Sequence, residues 1–173
     1  MDIKFRYKQV LEALSGVEKV AVVAHQKPDG DTLGAGSALM HFLRSRGVKV
    51  SGFCLDEVPD QYVFLPESER FMTDPDVIRL ADLVIVCDAG DLRYAGVHDI
   101  FDRMPKCPKM INIDHHKTNE MFGDVNVVNT KASSTAEVLH DFFMYIGAEI
   151  TQDMATALLT GVVFDTGNFT NPA

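Results

Sequence analysis

The feature that most constrains this chain is the run Lys19-Val-Ala-Val-Val-Ala-His25, apolar, rich in valine and without polar alternation. It is too short for a buried helix, and a strand of this kind is covered on both faces, as in a parallel sheet. A glycine-bearing turn follows. Residues Thr32 to Arg46 then place Leu39, Phe42, Leu43 and Arg46 at helical spacing before Gly47. Strand, turn and helix make half of a βαβ unit, and three more strand-like runs continue the theme: Val48 to Cys54, Asp82 to Cys87 and Lys109 to Ile113. Strands that alternate with helices need crossover connections, so the expected fold is α/β, a parallel β-sheet flanked by helices in a Rossmann-like three-layer arrangement.

The remaining segments fit that frame. Tyr7 to Leu14 carries Val10, Leu11 and Leu14 at helical spacing, and Gly16 ends the pattern. A short strand is expected at Asp124 to Asn129. Two one-sided helices then close the chain, one through Val138, Leu139, Phe142, Phe143 and Ile146, the other through Ala155, Leu158, Leu159, Val162 and Val163. Both suit covering a sheet. Ser133 or Ser134 is placed to cap the first and Thr151 the second, with Gly147 between them. Asp56 to Pro75, with Pro59, Pro66 and Pro75, reads as a long excursion, and the ending from Gly167 to Ala173 as the start of a linker.

Composition excludes several functions. With 173 residues the chain can bury about two-thirds of its unfolded surface, enough for one core without disulfides. Lys+Arg 16 against Asp+Glu 25 gives −9, which argues against holding long duplex nucleic acid by charge, since that mode needs a basic surface. Cys54, Cys87 and Cys107 are far apart, with neither a zinc spacing nor a disulfide framework. The N-terminus carries charges through its apolar residues, and no run approaches the about 18 apolar residues of a membrane span. A cytoplasmic protein is expected.

The chemistry lies where Asp and His fall relative to the strands, because open parallel sheets bind ligands at the carboxyl ends of their strands. The first strand ends in His25, with Asp29 and Asp31 close behind. The third ends in Asp88, the fourth in Asp114-His115-His116, and the last helix runs out into Asp165-Thr166-Gly167. Alone, each Asp is better read as a cap or turn residue, and His41, His98 and His140 are read as surface or half-buried. Together, four segments deliver carboxylate or imidazole to one edge. Such a group of acids needs opposing charge, and mixed imidazole and carboxylate donors suit Mn²⁺, Fe²⁺ or Zn²⁺. There are ligands enough for two metals, the arrangement that suits phosphoryl chemistry.

At these residues the sequence resembles the DHH phosphoesterase superfamily. His25-Gln-Lys-Pro-Asp-Gly-Asp31, Asp88, Asp114-His115-His116 and Asp165-Thr166-Gly167 match its four motifs in order and separation. The stretch Ala132 to Glu137 and the ending Asp165-Thr-Gly-Asn-Phe169 are most similar to the NrnA-like oligoribonuclease and phosphoadenosine-phosphate phosphatase branch. The resemblance implies one Mn²⁺ on His25, Asp29 and Asp88, and a second on Asp31, Asp88, His115 and Asp165, with Mg²⁺, Co²⁺ or Zn²⁺ as substitutes. It implies that Asp88 bridges the metals, that His116 faces the substrate phosphate, and that Asp114 orients an imidazole. An activated water would attack phosphorus in line. Ser133 and Ser134, at a helix start, are weaker candidates for holding phosphate.

The resemblance further implies a catalytic domain over residues 1–170, followed in the family by a substrate-gripping DHHA1 domain that this sequence does not contain. Expected substrates are short oligoribonucleotides and nucleoside 3′,5′-bisphosphates. The alternatives are a pyrophosphatase or exopolyphosphatase and, from another class, a nucleotide-binding domain without catalysis. No membrane partner is expected, and a homodimer is left open.

Overall fold

A computed structural model describes residues 2–170. The last three positions of the linker reading therefore lie outside the described residues. The elements run α1 (Ile3–Leu14), β1 (Lys19–Ala24), α2 (Gly30–Ser45), β2 (Lys49–Phe53), β3 (Phe71–Met72), α3 (Asp76–Arg79), β4 (Leu83–Cys87), α4 (His98–Asp102), β5 (Lys109–Asp114), β6 (Val125–Val128), α5 (Thr135–Tyr145) and α6 (Gln152–Asp165).

The six strands form one sheet in the order β3-β2-β1-β4-β5-β6, and each neighbouring pair is parallel. Val22 of β1 lies between Gly52 of β2 and Ile85 of β4. Chain order thus reverses direction between β1 and β4. That switch point is where loops on the carboxyl side diverge and leave a crevice.

Both faces of the sheet are covered, which explains the unbroken apolar runs. Val20, Val22 and Ala24 pack with Leu39, Leu43, Leu139 and Phe143 from α2 and α5, while Ala21 and Val23 pack with Ile78, Ala95 and Val97 on the other side. Residues that alternate along one strand therefore enter two cores, giving three layers.

Several expectations are refined. The first helix begins four residues earlier than Tyr7, because the Asp2 carboxylate accepts from the Lys4 N–H and caps it. Helix α2 starts at Gly30 rather than Thr32, with Asp29 as its cap, so Asp31 sits in the first turn. The excursion after β2 contains an edge strand, β3, too short to leave a periodic signal.

The expectation that both C-terminal helices cover the sheet is corrected for α6. It packs on α2 and α5 instead. Small residues allow the close approach: a Cβ on Gly34 would stand 2.4 Å from the Ala157 carbonyl oxygen, and one on Gly30 would stand 2.7 Å from Phe164 Cβ. The start of α2 thereby meets the end of α6.

Candidate metal centre

Asp88 occupies the centre. Its N–H donates to the Ile113 carbonyl at 2.9 Å, continuing the β4–β5 ladder, yet its φ of +63° is left-handed. That conformation is uncommon outside glycine, though aspartate tolerates it better than most residues, and it re-aims the carboxylate as the strand ends. Asp88 Oδ2 lies 3.5 Å from His25 Nε2, and Asp88 Oδ1 lies 3.6 Å from His115 Nε2. One buried carboxylate therefore touches both imidazoles.

His25 arrives from β1 and is fixed on every side. Its N–H donates to Thr32 Oγ1 at 3.1 Å, and that hydroxyl donates to the Cys87 carbonyl at 3.0 Å, tying the ends of β1 and β4 together. Its Nδ1 lies 2.8 Å from the Gln26 carbonyl oxygen, which selects the Nδ1–H tautomer and leaves Nε2 facing Asp29 Oδ2 at 3.5 Å.

Two helix starts face the same point. Asp29 caps α2 through the N–H groups of Asp31 and Thr32, at 3.0 and 3.1 Å. Asp31 receives the Thr135 N–H on Oδ2 at 2.6 Å and the Ala136 N–H on Oδ1 at 2.9 Å, so its carboxylate sits on the positive end of α5. Gly161 of α6 makes room: a Cβ there would stand 2.5 Å from Asp31 Oδ1. Asp165, one turn further along α6, lies 3.0 Å from His115 Nε2.

The triplet after β5 divides its roles. Asp114 is fully buried; its Oδ1 accepts from the N–H groups of His115 and His116 and lies 2.8 Å from His116 Nδ1. Its Oδ2 takes the Asn119 amide at 2.6 Å, and Asn119 is held in turn by Asn112 and the Ala89 carbonyl. Asp114 therefore orients His116, whose half-exposed ring faces outward.

The electrostatics show a site built for positive charge. Burial works against a charged His25, but hydrogen bonds to Asp29, Asp88 and the Gln26 carbonyl outweigh it and push the imidazole up to about 10. The hydrogen bond to Asp114 is the main cause that pushes His116 up to about 8, against its partial burial. Burial, then the charges of Asp88 and Asp165, hold Asp31 well above the usual carboxylate range. All three shifts run in the same direction, toward holding a proton against the accumulated negative charge.

A divalent cation fits the same demand. The ligand atoms of His25, Asp29 and Asp88, and those of Asp31, His115 and Asp165, form two groups each within 4.8 Å; Asp88 with Asp114, His115 and His116 forms a third. His115 Nε2 is buried and, despite its closeness to Asp165, meets no partner at hydrogen-bond geometry among the described residues. A buried imidazole nitrogen aimed at the carboxylates of Asp165 and Asp88 is placed as a metal ligand would be.

All the acids and imidazoles expected at the edge converge there. Ser133 and Ser134 stand nearby, engaged locally: the N–H and hydroxyl of Ser133 both donate to Glu137 Oε2, and Ser134 Oγ accepts the Glu137 N–H. Both serine side chains are thus engaged with Glu137 at the start of α5. The same helix start instead supplies Thr135, whose hydroxyl donates to Asp88 Oδ1 at 2.9 Å. Thr32, Asn119, Gly161 and Tyr94, which stacks on His25 at 4.7 Å, are further contributors not anticipated from the sequence.

The fold and site define a class of parallel α/β domains that gather acids and imidazoles able to hold metal ions at the switch point of the sheet. Residues 19–162 match the DHH family, N-terminal domain. The chain belongs to the DHH family. It is 35% identical over 168 residues to the bifunctional oligoribonuclease and PAP phosphatase NrnA of Thermus thermophilus, covering 95% of this chain and 48% of that protein. It is 28% identical to the Bacillus subtilis protein of the same name, covering 95% and 51%. The chain thus spans about half the length of these curated relatives. An exopolyphosphatase-related protein from Bacteroides fragilis superposes with a TM-score of 0.89 at 26% identity, covering 96% of this chain and 52% of that one.

Proposed function

We propose that this chain is the metal-binding catalytic domain of a phosphoesterase that hydrolyses short oligoribonucleotides or nucleoside 3′,5′-bisphosphates with two Mn²⁺ ions. The observation that carries this reading is the meeting of His25, Asp29, Asp31, Asp88, His115 and Asp165 from four chain segments around one buried carboxylate. The names of the Thermus and Bacillus relatives support the substrate class.

His25, Asp29 and Asp88 would hold one ion, and Asp31, Asp88, His115 and Asp165 the other. When bound, such a pair supplies Lewis acidity at the phosphoryl oxygens and lowers the pKa of water. The protein's own residues do the rest. Asp88, fixed by Thr135, holds its two oxygens toward the two imidazoles. His116 stands at the solvent edge with a raised affinity for a proton, so it can donate a hydrogen bond to a substrate phosphate or a proton to the leaving oxygen. Asp114 holds that ring in place and Asn119 holds Asp114.

Substrate grip falls, as the family resemblance implies, largely to a DHHA1-type domain. No helix among the described residues is long and apolar enough to cross a membrane, and a cytoplasmic location with small anionic partners suits the reading. A second reading, an exopolyphosphatase or pyrophosphatase, is favoured by the structural likeness to the Bacteroides protein.

The test is phosphate and mononucleotide release in Mn²⁺, using the chain alone and fused to a DHHA1 domain, with a dinucleotide, a nucleoside 3′,5′-bisphosphate and pyrophosphate. Turnover of the nucleotides supports the first reading. Turnover of pyrophosphate alone supports the second, and silence of both forms on every substrate contradicts both.

A further inference from the structure

We propose that Tyr94 is a specificity-determining residue of this site, offering the aromatic surface on which a nucleobase rests while its phosphate lies over the acid and imidazole cluster. The inference deepens the nucleotide reading above and rests on it.

The backbone around Tyr94 is rigidly set. Asp91 Oδ1 accepts the N–H groups of Arg93 and Tyr94 at 2.7 and 2.8 Å, and Gly96 closes the turn on the Arg93 carbonyl at 2.9 Å. The Tyr94 carbonyl then accepts the Gln26 N–H at 3.1 Å, locking this turn to the loop that carries His25. A Cβ on Gly96 would stand 2.9 Å from Leu55 Cβ, so the turn is also pressed against the strand-end loop beyond β2.

The ring lies across the imidazole of His25, centroids 4.7 Å apart and planes 30° from parallel. His25 is covered, yet Tyr94 itself is 42% exposed. Among the described residues no other ring packs on it, and its hydroxyl makes no hydrogen bond. An exposed aromatic with neither a second ring against it nor a bond for its polar tip has a face open to a ligand. Among the described residues, the other side chains of the cluster that reach solvent are Asp29, Asp165, His115 and His116. Two of these are acids and the others are imidazoles engaged by Asp114 and Asp165, so Tyr94 offers the uncharged aromatic face beside the His25 corner. A phosphate approaching the His25, Asp29 and Asp88 corner comes in beside Tyr94. The planar group attached to that phosphate meets the tyrosine ring, and stacking on it is tolerant of base identity.

The experiment measures binding of adenosine 5′-monophosphate and of inorganic phosphate to the Mn²⁺-loaded chain by calorimetry, for wild type, Tyr94→Phe and Tyr94→Ala, after Mn²⁺ binding by each variant has been titrated. Stacking of one base predicts that Tyr94→Ala weakens the mononucleotide by roughly 5- to 150-fold, at least fivefold more than it weakens phosphate. Tyr94→Phe, which keeps the ring, should stay within threefold of wild type for both. Equal loss of both ligands, or loss of Mn²⁺ in step with them, overturns the proposal and makes Tyr94 a positioning residue for His25. No loss in Tyr94→Ala overturns it as well. A wild-type chain that binds phosphate without preferring the mononucleotide overturns it while leaving a phosphoester site intact; one that binds neither ligand removes the nucleotide reading itself.

Discussion

The Thr135 hydroxyl donates to Asp88 Oδ1 at 2.9 Å, and the backbone N–H of the same residue donates to Asp31 Oδ2 at 2.6 Å. A single turn at the head of α5 thus sets the position of two carboxylates from two other elements. Hydrogen bonds of this kind behind metal ligands are typically worth 10–100-fold in metal affinity. Thr135→Val keeps the shape and loses the hydroxyl, so Mn²⁺ affinity should fall by roughly 10–100-fold, while Thr135→Ser stays near wild type. Calorimetric titration checks this, and equal affinities for Val and Ser variants would remove Thr135 from the site.

The contact between Gly161 and Asp31 makes a sharper demand. A methyl group on residue 161 would stand 2.5 Å from Asp31 Oδ1 and 2.6 Å from Ala136 Cβ, both inside van der Waals range. Gly161→Ala should therefore cost on the order of 1–3 kcal/mol as overpacking, despite alanine's better helix propensity, and should weaken Mn²⁺ binding by separating α6 from α2. Urea unfolding read alongside a metal titration decides it; a stabilised variant would show that the close helix approach is not needed.

Asn119 is the keystone of a buried amide network. Its Nδ2 donates to Asp114 Oδ2 and the Ala89 carbonyl, and its Oδ1 accepts from Asn112 and the Met121 N–H. Asn119→Ala strands the buried Asp114 Oδ2 and leaves the Asn112 amide with Asn126 alone, at about 1–3 kcal/mol for a buried group left unpaired. Asn119→Asp, which sets a second carboxylate beside Asp114, should be worse. Chemical denaturation of the two variants gives the comparison, and an Asp variant as stable as wild type would contradict it.

Away from the cluster, Glu67 ties the long excursion to α2. Arg44 Nη1 lies 2.6 Å from both of its oxygens and Arg70 Nε 2.5 Å from one. Burial works to raise this carboxyl, but the two guanidinium groups prevail and hold it below its usual value. A carboxyl depressed in the folded state stabilises above its unfolded pKa of about 4.3, and that contribution is lost as pH falls through the lower folded value. Wild type should therefore melt on the order of 2–4 °C above Glu67→Gln at pH 7, and the gap should close below about pH 4. A gap that is constant with pH would mean the charge contributes nothing.

Much of the fold was legible because each buried strand is a run of apolar residues bounded by chemistry. Val20 to Ala24 and Leu83 to Cys87 are covered on both faces, so nothing but their apolar continuity needed reading. The candidate ligands were legible for a related reason: a parallel sheet turns strand ends into one surface, so Asp88 and Asp114 needed no tertiary contact to be placed there. What stayed hidden depends on contacts between distant segments. Thr135 looks like a helix-start residue until Asp88 is seen beside it. Gly161 breaks no pattern in α6, and only the approach of Asp31 gives its missing side chain a meaning. Tyr94 lies in a turn whose sequence says nothing of His25. The α6 helix was misjudged because its small residues, Ala157 and Gly161, match another helix, whereas periodicity reports only that one side is apolar.

The central claim is that one buried carboxylate, Asp88, joins two cation sites. The most direct measurement is a Mn²⁺ titration of the 173-residue chain and of Asp88→Asn, followed by calorimetry and by the loss of free-ion electron paramagnetic resonance signal. The account predicts two Mn²⁺ per wild-type chain and loss of at least one, with weakened binding of any that remains, in Asp88→Asn. Identical stoichiometry and affinity in the two proteins, or no binding by either, would contradict it.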